Sequence, residues 1–341
     1  MNKNLLNRKI SLLLIIFILS IFFIPTFYIL AQNEDVFIEM TPEIPGPNQE
    51  VILNIVSYTA DLDRAQIFWY LNDKLLSSGT GKKTFSFTTK GVGETSVVDI
   101  VIKPQNISRV DKNIKITPSE VDILWETDGY VPSFYKGKSL PSSEGVIKVV
   151  AFPNLTTSNG TKLQSNDLVY QWKKDYKILG GLSGYGKRVI TFDSGYLFNI
   201  ENIEVNVSSL GGSLNAKNRV NIEIGEPKIL FYEKHPLLGI KYNKSIKEEL
   251  LLNKEEVIIV AEPYFFSPGI KESSQLSYKW SLNNEVVDSS NENKSEITLR
   301  QEGGISGTSQ ISLEIENITK ILQTIKENFT INFEPGSDFR F

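Results

Sequence analysis

Two carboxylates one residue apart, Asp61 and Asp63 in Thr59-Ala-Asp-Leu-Asp-Arg64, are the pair best spaced for chemistry in this chain. Two such groups in a cleft can act as acid and base on a glycosidic bond. The Asp-x-Asp spacing can also offer two oxygens to Ca²⁺, with Glu34 or Asp35 from a nearby chain end as further donors. The glycine and distal Glu of a full calcium loop are missing and Arg64 adjoins the pair, so the segment reads as a solvated turn. His235, in Glu233-Lys-His-Pro236, is the single histidine. A serine triad would need it as its base, yet no Gly-x-Ser-x-Gly elbow accompanies it, and a histidine-rich metal site is impossible. With no cysteine, thiolate nucleophiles, Cys-based metal sites and disulfides are all excluded. The glycine-rich run from Gly180 to Gly186 follows a hairpin pattern and does not open a helix, so it reads as a turn connection, not a nucleotide loop. The expectation is a chain with no catalytic residues, no metal and no cofactor.

Aromatic rings offer another chemistry, stacking on sugar faces. The candidates are Tyr130, Phe134 and Tyr135, and Tyr264-Phe-Phe266 ahead of Pro268. An internal repeat sets Phe134 against Ile240 and Tyr135 against Lys241, one apolar packing position and one varying surface position. That pattern favours packing between neighbouring domains over a ligand surface. Sequons at Asn106, Asn159, Asn243 and Asn328 occur in a chain rich in Asn, Ser and Thr, so chance accounts for them.

The elements that must position these residues are strands. Hydrophobic content is 40%, and Ile, Val, Phe, Tyr and Thr outweigh the helix formers Ala, Met and Gln. Net charge is −4 with no Lys/Arg run interleaved with aromatics, which leaves nucleic-acid binding without an electrostatic footprint. Lys3, Arg8 and Lys9 precede an uncharged stretch of 21 residues, Ile10 to Leu30. A helix of that length spans roughly the 30 Å of a bilayer core, and the flanking charges put everything after Ala31 outside the cytoplasm. The stretch is read as a retained membrane anchor or a cleaved signal, since Ala31 can sit at a cleavage point and Pro25 breaks the helix.

From Asn33 onward the hydrophobic pattern alternates or runs in short blocks, as in Val51 to Val56, Thr84 to Thr88 and Val97 to Ile102, with Gly, Pro, Asn and Asp clusters between them. Ser245 to Glu256 can form two or three helical turns but reads better as a loop cover. Three segments share a strand-and-turn signature around a tryptophan: Ile67-Phe-Trp-Tyr-Leu-Asn-Asp-Lys74, Tyr170-Gln-Trp-Lys-Lys-Asp-Tyr-Lys177 and Tyr278-Lys-Trp-Ser-Leu-Asn-Asn-Glu285. Trp69, Trp172 and Trp280 lie 103 and 108 residues apart, close to the roughly 100 residues of one immunoglobulin-type sandwich. They are read as structural core anchors, each pointing inward from a central strand. A second repeat pairs Ile123-Leu-Trp125 with Ile229-Leu-Phe231 at an offset of 106, and Val149 to Pro153 with Ile259 to Pro263 at 110, so four residues are inserted in the later copy. At the offset of 106 His235 matches Gly129, which marks a variable turn.

The expected organisation is a leader over 1–32 and three sandwiches over 33–117, 118–226 and 227–341. The linkers Ile116-Thr-Pro118 and Gly225-Glu-Pro227 are short and contain proline, so neighbours are held semi-rigidly. The Tyr/Ile-x-Trp-x-x-Asn/Asp signature resembles the central strand of PKD and other immunoglobulin-like surface modules of bacteria, and Thr41-Pro-Glu-Ile-Pro-Gly-Pro-Asn48 resembles their first-strand opening. The Gly-Asp-Gly turn of PKD modules is absent after the tryptophan strand, so no family ligand carries over. The resemblance implies an all-β protein of tandem immunoglobulin-like or PKD-like β-sandwiches behind one N-terminal transmembrane or signal helix. The expected role is a non-enzymatic surface rod, with the membrane as one partner through that helix and an envelope protein, or alternatively a polysaccharide, as the other.

Overall fold

Strand after strand turns every second side chain inward, as a sheet with one dry face requires: Val51, Leu53 and Ile55 in one, Val98, Ile100 and Ile102 in another. The computed structural model describes residues 36–138, 140–196, 200–287, 293–301 and 306–334. The expected N-terminal helix, with Glu34 and Asp35, lies outside them. Among the described residues there is no α-helix, and no helix is long and apolar enough to cross a membrane.

The strands pair into six sheets, two for each tryptophan. In the first unit β1 (Val36–Thr41), β2 (Glu50–Ser57), β3 (Gln66–Leu71), β4 (Lys74–Thr80), β5 (Thr84–Thr88), β6 (Ser96–Lys103) and β7 (Val110–Ile116) form sheets of order β1-β2-β5 and β4-β3-β6-β7. In the second, β8 (Glu120–Thr127), β9 (Val146–Asn154), β10 (Val169–Lys174), β11 (Lys177–Ile178), β12 (Gly184–Tyr185), β13 (Val189–Asp193), β14 (Ile200–Ser208) and β15 (Asn215–Glu223) give β13-β9-β8 and β11-β10-β14-β15, with β12 also on β10. In the third, β16 (Lys228–His235), β17 (Gly239–Ile246), β18 (Glu249–Leu252), β19 (Glu256–Tyr264), β20 (Leu276–Leu282), β21 (Glu285–Val287), β22 (Glu296–Arg300), β23 (Gly307–Asn317) and β24 (Thr324–Phe333) give β17-β16-β19-β22 and β18-β24-β23-β20-β21. Each pair of sheets encloses its own hydrophobic core, and no core cluster is shared between units.

Trp69, Trp172 and Trp280 are at most 1% exposed and sit in these cores. Each indole also makes the same bond. Its Nε1–H donates across the sandwich to the backbone carbonyl two residues before the first residue of a strand in the opposite sheet: Lys82 (2.8 Å), Lys187 (2.8 Å) and Lys294 (3.1 Å). The next carbonyl along, of Lys83, Arg188 or Ser295, accepts from the amide of Ile55, Ala151 or Ala261 in the adjacent strand, each at 2.9 Å. The turn after each tryptophan strand is equally repeated. Asn72-Asp73, Asp175-Tyr176 and Asn283-Asn284 all hold positive φ at both positions, the hairpin turn whose twist matches its strands. The first residue of each turn accepts a backbone amide through its side chain, from Val97, Asn202 and Gln310.

Two local readings change. Ser245 to Glu256 is no helix: it holds the end of β17 and the whole of β18, which runs parallel to β24. Leu250 and Leu252 turn inward and Leu251 outward, so pairing with an open sheet edge overrides the helical tendency of Leu and Glu. The four inserted residues of the later repeat fall at this strand, which the second unit lacks. The repeat also diverges at Phe134 to Lys138: its copy lies in β17, whereas here the chain forms turns and bends and no strand.

Substituting Trp172→Phe keeps most of the buried ring but leaves the Lys187 carbonyl unpaired, a loss of about 1–3 kcal/mol. Trp172→Ala adds a cavity and is expected to lose about 3–5 kcal/mol. Equilibrium urea unfolding of the two variants measures both, and a Trp172→Phe variant as stable as the parent would mean that the indole bond contributes nothing.

Candidate functional site

The residues that sequence reading picked out for chemistry are spent on turns. Asp61 Oδ1 accepts the Arg64 amide at 3.3 Å, and the Asp61 amide donates to Asn106 Oδ1 at 3.0 Å. Asp63 meets Lys83 Nζ at 2.9 Å, and that hydrogen bond and charge hold its carboxyl below the usual range. Among the described residues no three His, Asp or Glu side chains gather as a metal site. His235 Nδ1 accepts the amides of Leu237 (3.1 Å) and Leu238 (3.2 Å) and so closes the β16–β17 hairpin. Its repeat partner Gly129 is not a freely variable position, because a Cβ there would come within 2.0 Å of the Leu140 carbonyl oxygen. The run from Gly180 to Gly186 forms a 3₁₀ turn and β12.

Tyr130 and Phe134 are brought instead to the joint between the second and third units, whereas Tyr135 stays exposed and the Phe266 ring belongs to the third core. Tyr130 is buried, its amide donates to the Phe266 carbonyl at 2.7 Å, and its hydroxyl donates to the Glu262 carboxylate. Phe134 packs on Tyr242 at 4.3 Å between ring centroids and lies edge-on to Tyr232. Phe266 is fully buried, and the Phe265 ring lies where a Cβ on Gly225 would sit, at 2.1 Å. Glycine is therefore required in that linker.

Glu262, fully buried at the centre of this cluster, also accepts from Tyr242 (2.9 Å) and is paired with Lys271 at 3.1 Å. Burial, reinforced by the bond to Glu262, pushes the Tyr242 hydroxyl up to about 12 and the Tyr130 hydroxyl further in the same direction. A second polar lock stands beside it. Gln323, also fully buried, accepts the Ser267 amide at 2.9 Å and donates to the Ser143 carbonyl at 2.7 Å and the Ser142 hydroxyl at 3.2 Å, binding third unit to second. Glu144 accepts from the Leu322 amide at 2.6 Å and from Lys320. Sequence reading missed Glu262 and Gln323. The signal for Glu262 was present: the repeat sets it against Phe152, a carboxylate in the middle of an apolar strand.

The joint between the first and second units is thinner. The Gly93 amide donates to the Pro118 carbonyl at 3.0 Å, the Thr95 and Thr117 hydroxyls meet at 2.8 Å, and an open cleft of about 550 Å³ lined by Val97, Lys115, Thr157 and Ser213 separates the units.

No protein-family model matches the chain, and no curated protein matches it. Solved structures similar to it include fibronectin(III)-like modules of Clostridium thermocellum CbhA, at 12% identity over 55% of this chain and 94% of that chain, TM-score 0.26. Sidekick-1 immunoglobulin domains 1–5 are 10% identical over 85% of this chain and 56% of that chain, TM-score 0.28. Three N-terminal domains of the bacteriophage RB49 highly immunogenic outer capsid protein are 10% identical over 88% of this chain and 98% of that chain, TM-score 0.23. The fold itself rests on the two-sheet topology and the buried tryptophans described above. The chain is a tandem array of immunoglobulin-like β-sandwiches.

Because the chain has no native cysteine, spin labels can be placed cleanly at the exposed Leu124, Leu251 and Leu75. A Leu124–Leu251 pair is expected to give a narrow distance distribution that broadens in Glu262→Gln or Gln323→Ala, while a Leu75–Leu124 pair is broad from the start. Equal widths across the two joints would contradict the contrast drawn between them.

The same joint is expected to respond to alkali. A phenol whose folded pKa is raised from 10.0 to about 12 stabilises the joint fully below about 10 and loses that contribution as pH rises through about 12. Tyrosinate absorbance followed alongside the Leu124–Leu251 distance should show a late-ionising fraction that appears only as the distribution broadens, and Tyr242→Phe should shrink it.

Proposed function

We propose that this chain is a non-enzymatic extracytoplasmic protein whose sandwich array makes protein–protein contacts in an envelope or appendage assembly. The observation that carries this reading is the locked joint. Glu262 and Gln323 hold two sandwiches in one orientation, and a surface presented in a fixed geometry binds a partner with less ordering cost than a flexible one. The positive charges ahead of Ile10 to Leu30 support a position outside the cytoplasm. The outer faces support protein contact, with Phe37 and Tyr58 exposed on the first unit and Leu124, Phe152 and Val189 on one sheet of the second. The absence of a catalytic reading rests on Asp61, Asp63 and His235 being engaged in turns. Carbohydrate recognition by Tyr130, Phe134 and Phe266 loses its support, because Tyr130 and Phe134 are used in the joint and Phe266 in the core of the third unit.

Photo-crosslinking in intact cells of the source, from Leu124 or Phe152, is expected to give a discrete protein adduct. Its yield should fall several-fold when Glu262→Gln and Gln323→Ala unlock the joint. Adducts to polysaccharide alone, or no adduct, would overturn the reading. External protease should remove the sandwiches from intact cells, and their protection would place them elsewhere.

A further inference from the structure

The outer face of the second unit carries a group of charges that neither the core nor the joints use. Glu204 on β14 stands in register between Lys173 on β10 and Arg219 on β15. It is paired with Lys173 (3.3 Å), Lys217 (3.2 Å) and Arg219 (2.8 Å). Three cations against one carboxylate leave an excess of two positive charges. Burial alone would raise the Glu204 carboxyl, and the hydrogen bonds from Arg219, Lys217 and Lys173 more than offset it, holding it at about 2. The carboxylate therefore stays ionised and acts as a fixed brace that spreads the three cations around it.

These side chains, with Asn202 and Tyr176, line a pocket of about 150 Å³. That is room for about five waters at about 30 Å³ each, and it suits a single oxyanion group better than an extended chain. At its lip stands Tyr176, 79% exposed, with the Arg219 guanidinium 5.4 Å from the ring centre. Its backbone is left-handed, φ 66°, at a turn position filled by Asp73 and Asn284 in the other units. Asp and Asn are at home there, whereas a bulky residue at positive φ is an outlier that folding alone does not call for.

The equivalent rungs of the other two units make the contrast sharp. In the first the three positions are Tyr70, Asp99 and Asn113, and in the third Ser281, Ser312 and Asn328. The fold thus tolerates neutral or acidic residues at this rung, and the second unit alone assembles cations there, beside the one exposed ring among the three turns.

We propose that Lys173, Lys217, Arg219 and Tyr176 form a binding site for an acidic sugar, the cations taking its carboxylate and the free face of Tyr176 taking its ring. The site lies on the opposite sheet of this unit from Leu124 and Phe152, so it is independent of the protein contacts proposed above.

Calorimetric titration of the full chain in mild detergent with a short oligogalacturonate is the test. Binding is expected, weakening as salt is raised, absent with the methyl-esterified neutral form, and about tenfold weaker or more in Lys217→Gln and in Tyr176→Asn. Tyr176→Asn should melt no lower than the parent, since Asn accepts the left-handed turn, which separates loss of the site from loss of the fold. Three results would overturn the proposal: no binding by the folded chain, binding indifferent to either substitution, or equal binding of polyglutamate, which would make the ligand an acidic peptide.

Discussion

One bond made three times carries this architecture: an indole N–H in one sheet donating to a carbonyl of the chain that enters the opposite sheet. Antibody-type sandwiches staple their two sheets with a disulfide packed on a tryptophan. This chain has no cysteine, so the tryptophan must serve as both core filler and cross-tie. The large ring supplies burial, and its single donor fixes which carbonyl faces inward. The next carbonyl is then free to pair with the neighbouring strand, as it does through Ile55, Ala151 and Ala261. The strand register of one sheet is thereby set from the core of the other. The positive-φ turn that opens three residues later does the same at the sandwich end, because the Asn or Asp side chain that opens it also accepts a backbone amide of the strand beside it.

With the interior fixed in this way, what distinguishes the units is written at outward positions. The slot after Ile55, Ala151 and Ala261 holds Val56, Phe152 and Glu262. Phe152 is left 47% exposed, whereas Glu262 is fully buried between Tyr130 of the preceding unit and Tyr242 and Lys271 of its own. A buried carboxylate does not make a strong stabiliser, since its desolvation offsets most of its attraction to Lys271. It is a demanding one: only an arrangement that brings Tyr130, Tyr242 and Lys271 to it at once leaves no charge stranded. The joint between the second and third units is accordingly selective for one geometry, in a way that an apolar contact of similar area would not be. The first joint, with one backbone bond and a pair of threonines, imposes no comparable condition.

This division explains how much could be read from the sequence. Tryptophan spacing and the Asn/Asp turns are dictated by requirements internal to each unit, local in the chain, and they were legible. Sheet class, three-fold repetition and the inward direction of Trp69, Trp172 and Trp280 follow from them. The joint was legible only in outline, as packing by Phe134 and its neighbours, because its polar members find partners far along the chain. Tyr130 reaches across 132 residues to Glu262, and Gln323 across 181 to Ser142. No periodicity encodes such a pairing. The reading of Ser245 to Glu256 failed for the same reason, since its strand exists only because the edge of β24 is there to receive it.

The charged rung of the second unit follows the same logic from the opposite side. A residue retained against local preference needs a reason outside the turn that contains it. Tyr176 takes a backbone conformation that Asp73 and Asn284 take more easily, and Lys217 and Arg219 crowd a carboxylate that one of them would satisfy. Tyr176, Lys217 and Arg219 lie outside the core clusters. Repulsion among three cations is softened by Glu204 but not cancelled, and the remainder is relieved only by a negative group arriving from solvent. Within a repeat whose inner residues are held constant by the indole tie, an outward set that departs from both sister units in charge, ring size and backbone strain together is best explained by what it meets outside the chain.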